Sequence, residues 1–483
     1  MMSKINQNGE FFELDAGADL LNSAVYSHDL APTKIAERTW NKWHIMSLWV
    51  GLAICVPTYT LGGVLTSYFG LSVLEALCAI LLANTIVLIP LILNAYPGTK
   101  FGIPFPVLLR SSFGIYGSNI PALIRGFIAC GWFGIQTMFG GLAIHLIFVR
   151  IIPGWTSIGG IGEVIGFFIF WFFNIYIVIK GSTAIKWLET LAAPLLLFVG
   201  IGLLVWAYPK IDMTALLNTP PNRPVDASMW PYFFSGLTAM VGFWATLSLN
   251  IPDFSRYAVS QKDQIVGQMT GLPLTMLLFA MLGVVLTAAS PSMFGEVISD
   301  PVSLIGKIEN DWVAVFMLFI VIIATVSTNA AANILSPAND FQNAFPKIIN
   351  FNRGVYITGA IGIILMSWEL LRKIGIVNSD VSVESIYSNW LLSYSNLLGP
   401  IAGIMIVDYF IVKKQHINLI DIYKQGGVYP NVNKFGLMSF LIPVMITVYA
   451  VLSENMLWIY KYGWFIGSFM GGSLYYFFNK KFK

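Results

Sequence analysis

The chain has 483 residues, of which 57% are hydrophobic and 11% charged, with a formal net charge of +3. Soluble proteins carry roughly 25% charged residues, so these charges cannot cover a globule of this size, which excludes a soluble multi-domain enzyme and a disordered chain alike. So small a net charge gives no reason to expect a nucleic-acid partner.

The first forty or so residues are polar and show no apolar run behind a basic start, so no cleavable signal peptide is expected. Twelve apolar segments follow, each near the ~20 residues a bilayer requires. They lie at 45–67, 72–93, 122–149, 161–179, 187–208, 229–250, 269–289, 312–335, 355–371, 386–412, 436–453 and 458–478. With the N-terminus inside, nineteen Lys and Arg residues fall on inner segments and seven on outer ones, with Arg125 left inside the third span. This bias predicts a multi-pass protein of the plasma or inner membrane with both termini cytoplasmic.

Along the chain, span one is interrupted at Ala53-Ile54-Cys55-Val56-Pro57-Thr58, where Pro57 removes a backbone donor. After span two, residues 97–114 read as a long amphipathic inner loop, and residues 340–353 after span eight read the same way. Span six carries Gly242-Phe243-Trp244, and span eight a small, polar run from Ala324 to Asn333. Such places suit unwound backbone around a midplane binding site, although small residues also serve simple helix packing. Gly463, Gly467 and Gly471 in span twelve leave a groove for another helix, within the monomer in the simplest reading. Cys55, Cys78 and Cys130 lie in apolar runs without metal-ligand spacing, and the four histidines are dispersed. No carboxylate lies deep in spans one, six or eight. Glu75, Glu189 and Asp253 sit nearer helix ends, where a snorkelling charge, a salt bridge or a gate contact is the expectation.

Several motifs carry a resemblance. Trp132-Phe133-Gly134-Ile135-Gln136-Thr137, Ser327-Thr328-Asn329 with Asn333-Ile334-Leu335-Ser336-Pro337, and Pro97-Gly98-Thr99-Lys100-Phe101-Gly102 resemble the nucleobase–cation symport family one. So do Asn250-Ile251-Pro252-Asp253-Phe254-Ser255-Arg256 and Leu398-Gly399-Pro400 with Asp408-Tyr409. The allantoin and plant nucleobase members look most alike. The resemblance implies an all-α integral membrane protein of twelve transmembrane helices, with a five-plus-five inverted-repeat (LeuT-like) core and two extra C-terminal helices. The expected organisation is a cytoplasmic segment at 1–44, a ten-helix core at 45–412 in halves 45–208 and 229–412, a loop at 413–435, peripheral helices at 436–478 and a tail at 479–483.

In a sodium-coupled member that carries hydantoins, two tryptophans sandwich a planar ring and amides bond its edge. By resemblance the tryptophans fall on Trp132 and Trp244, and the amides on Gln136 and Asn333. Two positions depart from that member. Cys55 replaces a glutamine, and Phe243 a glycine. The implied sodium ligands are the carbonyls of Gly51, Ile54 and Ala324 and the hydroxyls of Ser327 and Thr328. Physical chemistry agrees on the ring: a flat heterocycle stacks on aromatics at about 1–3 kcal/mol per base, and an Asn or Gln amide offers an uncharged donor and acceptor side by side to a –CO–NH– edge. The expected function is therefore import of a hydantoin-like or nucleobase-like heterocycle, such as allantoin or uracil, driven by sodium. A purine, cytosine or vitamin permease driven by protons is the alternative. No cofactor, no enzymatic activity and a monomer are expected, since neither a catalytic cluster nor a channel filter is visible.

Overall fold

Backbone groups in a membrane-crossing segment are expected to find partners within the protein, and where this chain departs from plain helix the displaced N–H groups have new acceptors that can be named. The computed structural model describes residues 2–180, 182–378 and 383–482, and the side chains of all of these except 182–191, 383, 454 and 482. Each of the twelve expected segments is helical. The first is divided into α1 (Lys42–Ala53) and α2 (Val56–Ser67), followed by α3 (Val73–Phe101) and a short α4 (Phe105–Phe113). Next come α5 (Asn119–Ile151), α6 (Gly160–Lys180) and α7 (Ser182–Ala207). The sixth segment is α8 (Trp230–Phe243) and α9 (Ala245–Asn250), then α10 (Gln261–Phe294), α11 (Asp311–Asn329) and α12 (Leu335–Ala344). The chain ends with α13 (Phe351–Lys373), α14 (Val383–Val407), α15 (Lys434–Leu452) and α16 (Gly463–Phe482). Among the described residues nine helical spans are long and apolar enough to cross a membrane, and α1 with α2 adds a pair bent by 58°. The sixth expected segment falls outside that count because the break at Trp244 shortens it, and the twelfth because α16, though 20 residues long, is diluted by Gly, Ser, Tyr, Asn and Lys.

Small residues set the close approaches. A Cβ on Gly283 of α10 would overlap the Tyr59 carbonyl of α2, and Gly267 and Gly271 press against Ile45 and Trp49 of α1. Gly467 and Gly471 of α16 lie on Pro400 of α14, and Gly463 lies on Asn396. The glycine groove read from the sequence is thus filled by the chain's own neighbouring helix. Cys55, Cys78 and Cys130 are free thiols.

Two expectations are corrected. Residues 97–101 are not loop: α3 runs through Pro97 to Phe101 before Gly102 ends it in the left-handed conformation, φ 69°. The Arg38 guanidinium bonds the terminal carbonyls of Thr99 (2.9 Å) and Lys100 (3.3 Å), capping the helix where its own donors run out. A Cβ at residue 102 would strike this guanidinium. Residues 340–344 are likewise helix, the end of α12, so Asp340 is a fully buried intramembrane carboxylate rather than a loop residue. The polar N-terminal segment is folded. Strands β1 (Lys4–Asn8) and β2 (Phe11–Asp15) form an antiparallel hairpin, with Phe12 stacked on Phe101 at 5.1 Å.

Beyond the hairpin the segment crosses one end of the helices as a strap. Arg256 reaches Thr33 Oγ1 (2.5 Å) and the Ala31 carbonyl (2.8 Å), Gln342 donates to Asp29 (2.8 Å), and Tyr423 donates to the Leu30 carbonyl (2.8 Å). Burial draws the Arg38 guanidinium down to about 10, against the pull of Glu13, so it remains charged at neutral pH. Glu75, left open between a snorkelling charge, a salt bridge and a gate contact, makes a two-pronged salt bridge to Arg223 at 2.6 and 2.8 Å. Glu189 lies outside the residues whose side chains are described.

Candidate functional site

The break in α1/α2 redirects amides. In a continued helix the Cys55 N–H would bond the Gly51 carbonyl, but it donates to Ala53 (3.1 Å) instead. The Thr58 N–H, due to the Ile54 carbonyl, donates to Cys55 (3.1 Å). Gly51 and Ile54, two positions picked out for their carbonyls, therefore lose their helical donors. Pro57, at the start of α2, presents no N–H, and its carbonyl accepts from Tyr387 of α14 at 2.9 Å. The second break falls at Trp244 itself, whose N–H bonds Val241 rather than Met240. Gly242 lets α8 approach α14, since a Cβ there would overlap Ser395.

These breaks converge on a line of aromatic rings. Trp132 of α5 meets Phe243 at 5.3 Å and 86°, and Phe243 meets Trp244 at 4.9 Å and 79°. Phe243 thus stands edge-on between the two tryptophans, which make no ring contact with each other among the described residues. Trp49 of α1 backs Trp244 at 5.2 Å, while Tyr387 and Tyr394 of α14 back Trp132 at 5.6 and 6.2 Å. Cys55 shares the buried cluster of these rings, its thiol 3.2 Å from the Thr58 hydroxyl.

Four buried polar atoms here make no hydrogen bond of standard geometry among the described residues: Trp49 Nε1, Gln136 Oε1, and Trp132 Nε1 and Tyr394 OH, which face one another. Leaving such groups unmet costs about 1–3 kcal/mol each, so the arrangement suits a ring with both donors and acceptors on its edge. Asn333 sits in a π-helical turn, Ala330–Ile334, the kind of local widening that recurs at functional sites. Its amide donates to Asn329 (2.9 Å), and Asn329 donates to the Phe133 carbonyl (3.3 Å) beside Trp132. Gln136 and Asn333 themselves make no bond to either tryptophan among the described residues.

Ile54 and Ala324 lie in one buried cluster, joining the first break to α11. Thr328 Oγ1 donates to the Ala324 carbonyl at 3.1 Å, and Ser327 is buried one residue before it. Gly51, Ile54, Ala324, Ser327 and Thr328 offer only neutral oxygens, a donor set suited to a small hard cation.

Sequence reasoning missed the polar support. Trp244 Nε1 donates to Asn84 of α3 at 2.9 Å, and a lone asparagine in an apolar span is the only signal that could have pointed there. It also missed the partner of Arg125. That guanidinium pairs with Asp340 at 3.1 Å, both side chains fully buried, and also bonds Ser336. Ser336 in turn meets Asn250 (2.9 Å) and Asp253 (2.9 Å), and Asp253 takes the Phe105 N–H (2.8 Å). Arg125 precedes Trp132 by seven residues, and Asp340 follows Asn333 by seven. At 1.5 Å per residue this ionic layer lies about 10 Å from the aromatic line along two helices.

Residues 32–481 match the family model described as permease for cytosine/purines, uracil, thiamine and allantoin. The chain is 40% identical over 432 residues to the purine-uracil permease of Arabidopsis thaliana, covering 87% of this chain and 69% of that one. It is 37% identical over 458 residues to the allantoin permease of Bacillus subtilis, covering 91% and 90%. A solved nucleobase-cation-symport-1 transporter, closed with bromovinylhydantoin bound, superposes with a TM-score of 0.76 at 26% identity, over 93% of this chain and 94% of that one.

Asp340→Asn leaves the Arg125 charge buried without its counter-ion, a loss of about 3–5 kcal/mol for a broken buried pair. The purified protein should show a markedly lower unfolding midpoint, and the apolar replacement Arg125→Met with Asp340→Leu should recover most of it. An unchanged midpoint in Asp340→Asn would remove this pair from the account of stability.

Proposed function

Because the chain belongs to the nucleobase–cation symport family one, the permeases for cytosine and purines, uracil, thiamine and allantoin, we propose that it imports a planar heterocycle with a –CO–NH– edge, allantoin or uracil foremost, by cation-driven alternating access. The protein is a multi-pass membrane transporter, not an enzyme. One observation carries the substrate reading: an aromatic line from Trp132 through Phe243 to Trp244, flanked by buried polar atoms that lack partners. Trp132 and Trp244 give the faces, Gln136 and Asn333 the edge contacts, and Phe243 and Cys55 an apolar border that narrows the choice of ring. A purine is the second reading, favoured by the 40% identity to a purine-uracil permease.

The two ring faces belong to different helix groups. Trp244 follows α8, which packs on α3 and through it on α10, whereas Trp132 is carried by α5 with α6, α11 and α13. Rotation of one group against the other changes the gap between the tryptophans, and a bound ring favours the state in which both faces touch it. The break in α1/α2 joins the groups, since Gly51 and Ile54 come from one and Ala324, Ser327 and Thr328 from the other. We assign these five residues to sodium, held by three carbonyls and two hydroxyls. A cation there ties the groups together without a carboxylate. The membrane potential would add about 2.3 kcal/mol per 100 mV for each charge moved inward. The positive-inside bias supports cytoplasmic termini in a plasma or inner membrane, and the occupied groove between α14 and α16 supports a monomer.

Competition of unlabelled allantoin, uracil, hydantoin, cytosine, purines and thiamine against labelled allantoin and uracil uptake tests the substrate. Allantoin or uracil should compete best; competition by purines or thiamine alone would overturn that choice. Trp132→Ala should weaken binding of the competing ring by about 1–3 kcal/mol with normal membrane insertion, and unchanged affinity would remove Trp132 from the site.

The cation is tested by titrating affinity with sodium against choline at fixed pH. Sodium should tighten substrate binding, and by linkage substrate should tighten sodium binding by the same factor. Ser327→Ala with Thr328→Ala should abolish that effect while substrate still binds. Accumulation driven by a pH gradient, with no effect of sodium, would make the protein a proton symporter.

A further inference from the structure

Asn84 is an amide without exposed surface in the middle of α3, among apolar neighbours Ala83 and Val87. Such a group is costly unless its hydrogen bonds are met, and both ends of this one are. Its Nδ2 donates to the Ile80 carbonyl one turn back at 2.7 Å, and its Oδ1 accepts from Trp244 Nε1 at 2.9 Å. The indole nitrogen can only donate, so the amide has one sensible orientation, oxygen toward the ring. Trp244 is the residue at which the sixth segment breaks, where no regular helix ladder fixes its backbone on both sides.

The same helix holds the chain beyond the break. Asn94 Nδ2 donates to the Ser248 carbonyl (2.7 Å), Ser255 Oγ to the Ala95 carbonyl (2.9 Å), and Thr99 Oγ1 to the Ser255 carbonyl (3.1 Å). Along α3 a row of polar contacts thus supports the broken segment, and Asn84 is the member that touches the aromatic line. With Trp49 against one part of the indole and Phe243 against another, the Asn84 bond removes the remaining rotation.

We infer that Asn84 is a positioning residue for substrate stacking: by accepting the Trp244 N–H it fixes the plane of that indole and commits the ring to its π face rather than to hydrogen bonding with the substrate. The inference rests on the reading of Trp244 as one face of the site. It sets the two tryptophans apart chemically, since Trp244 commits its N–H to an amide of α3, whereas Trp132 Nε1 faces only the Tyr394 hydroxyl and makes no hydrogen bond of standard geometry among the described residues.

The test is a double-mutant cycle on the affinity for labelled allantoin and uracil, with Asn84→Ala, Trp244→Phe and the pair. Asn84→Ala should weaken binding about tenfold, the effect of 1.4 kcal/mol, with the maximal transport rate per inserted protein held within about twofold. Trp244→Phe has no N–H to lose, so adding Asn84→Ala to it should change nothing further. Asn84→Asp keeps the acceptor and should restore most of the affinity. A ligand-free readout accompanies these: the indole N–H marker band in the ultraviolet resonance Raman spectrum, isolated by subtracting Trp244→Phe, should shift toward the unbonded position in Asn84→Ala. Equal loss from Asn84→Ala in both backgrounds, or an unmoved marker band, overturns the inference. Unchanged affinity in Trp244→Phe and in Trp244→Ala would instead overturn the underlying reading of Trp244. If Asn84→Ala fails to insert, Asn84→Ser takes its place in the cycle.

Discussion

A helix interrupted inside an apolar protein must hand each displaced N–H and C=O to another partner, and this constraint governs the centre of the molecule. At the first break the amides of Cys55 and Thr58 fold back onto Ala53 and Cys55, and Tyr387 takes the Pro57 carbonyl. At the second, Trp244 bonds back to Val241 while α3 supports its side chain and the residues beyond it. What is left over is a pair of carbonyls without helical donors, at Gly51 and Ile54, and an indole turned out of the helix. Close packing by Gly242 and Gly283 allows it, because both sit where a Cβ would collide with a neighbouring helix.

Aromatic and ionic layers divide the labour along the same helices. Around Trp132 the contacts are edge-to-face rings, each worth about 0.5–1.5 kcal/mol beyond area burial, which can slide and re-tilt without leaving a charge exposed to lipid. Two turns away, Arg125 and Asp340 form a pair whose separation is far more costly. The soft layer can adjust, whereas the hard layer holds α5 and α12 in register.

Much of this was legible in the sequence because the signals were backbone signals. Pro57 marks its break by a missing donor, and Gly242-Phe243-Trp244 marks the other by a glycine beside bulky rings. The π-helical turn falls inside the small, polar run of span eight. Partnerships across hundreds of residues were not legible. Asn84 reads as one polar residue in an apolar span until Trp244 is placed beside it, and Asp340 reads as loop because Asp340, Gln342 and Asn343 make that stretch polar. Its polarity is real but is satisfied inward: Gln342 meets Asp29, and Asn343 meets Arg110. Burial brings the Arg110 guanidinium to about 10, and it too bonds within the protein, to the Ile422 carbonyl. The end of α3 was misjudged for a similar reason. Pro97 and Gly98 suggest a stop, whereas Arg38, far off in sequence, supplies the cap.

The strap formed by the N-terminal segment has a consequence for biosynthesis. Ser23 bonds the Tyr423 carbonyl across a separation of 400 residues, and Tyr423 bonds back to Leu30 across 393. Translation adds about 5–20 residues per second, so the first-made part of the chain waits on the order of 20–80 seconds for its last partners to emerge. Hairpin contacts within residues 4–15 form locally and early, whereas docking of residues 23–30 carries the loop-closure entropy of nearly the whole polypeptide. The order of synthesis and the order of assembly therefore run opposite at this end of the molecule. The segment that leaves the ribosome first is among the last to settle, and its docking reports that the helices as far as the loop before α15 have been made and assembled.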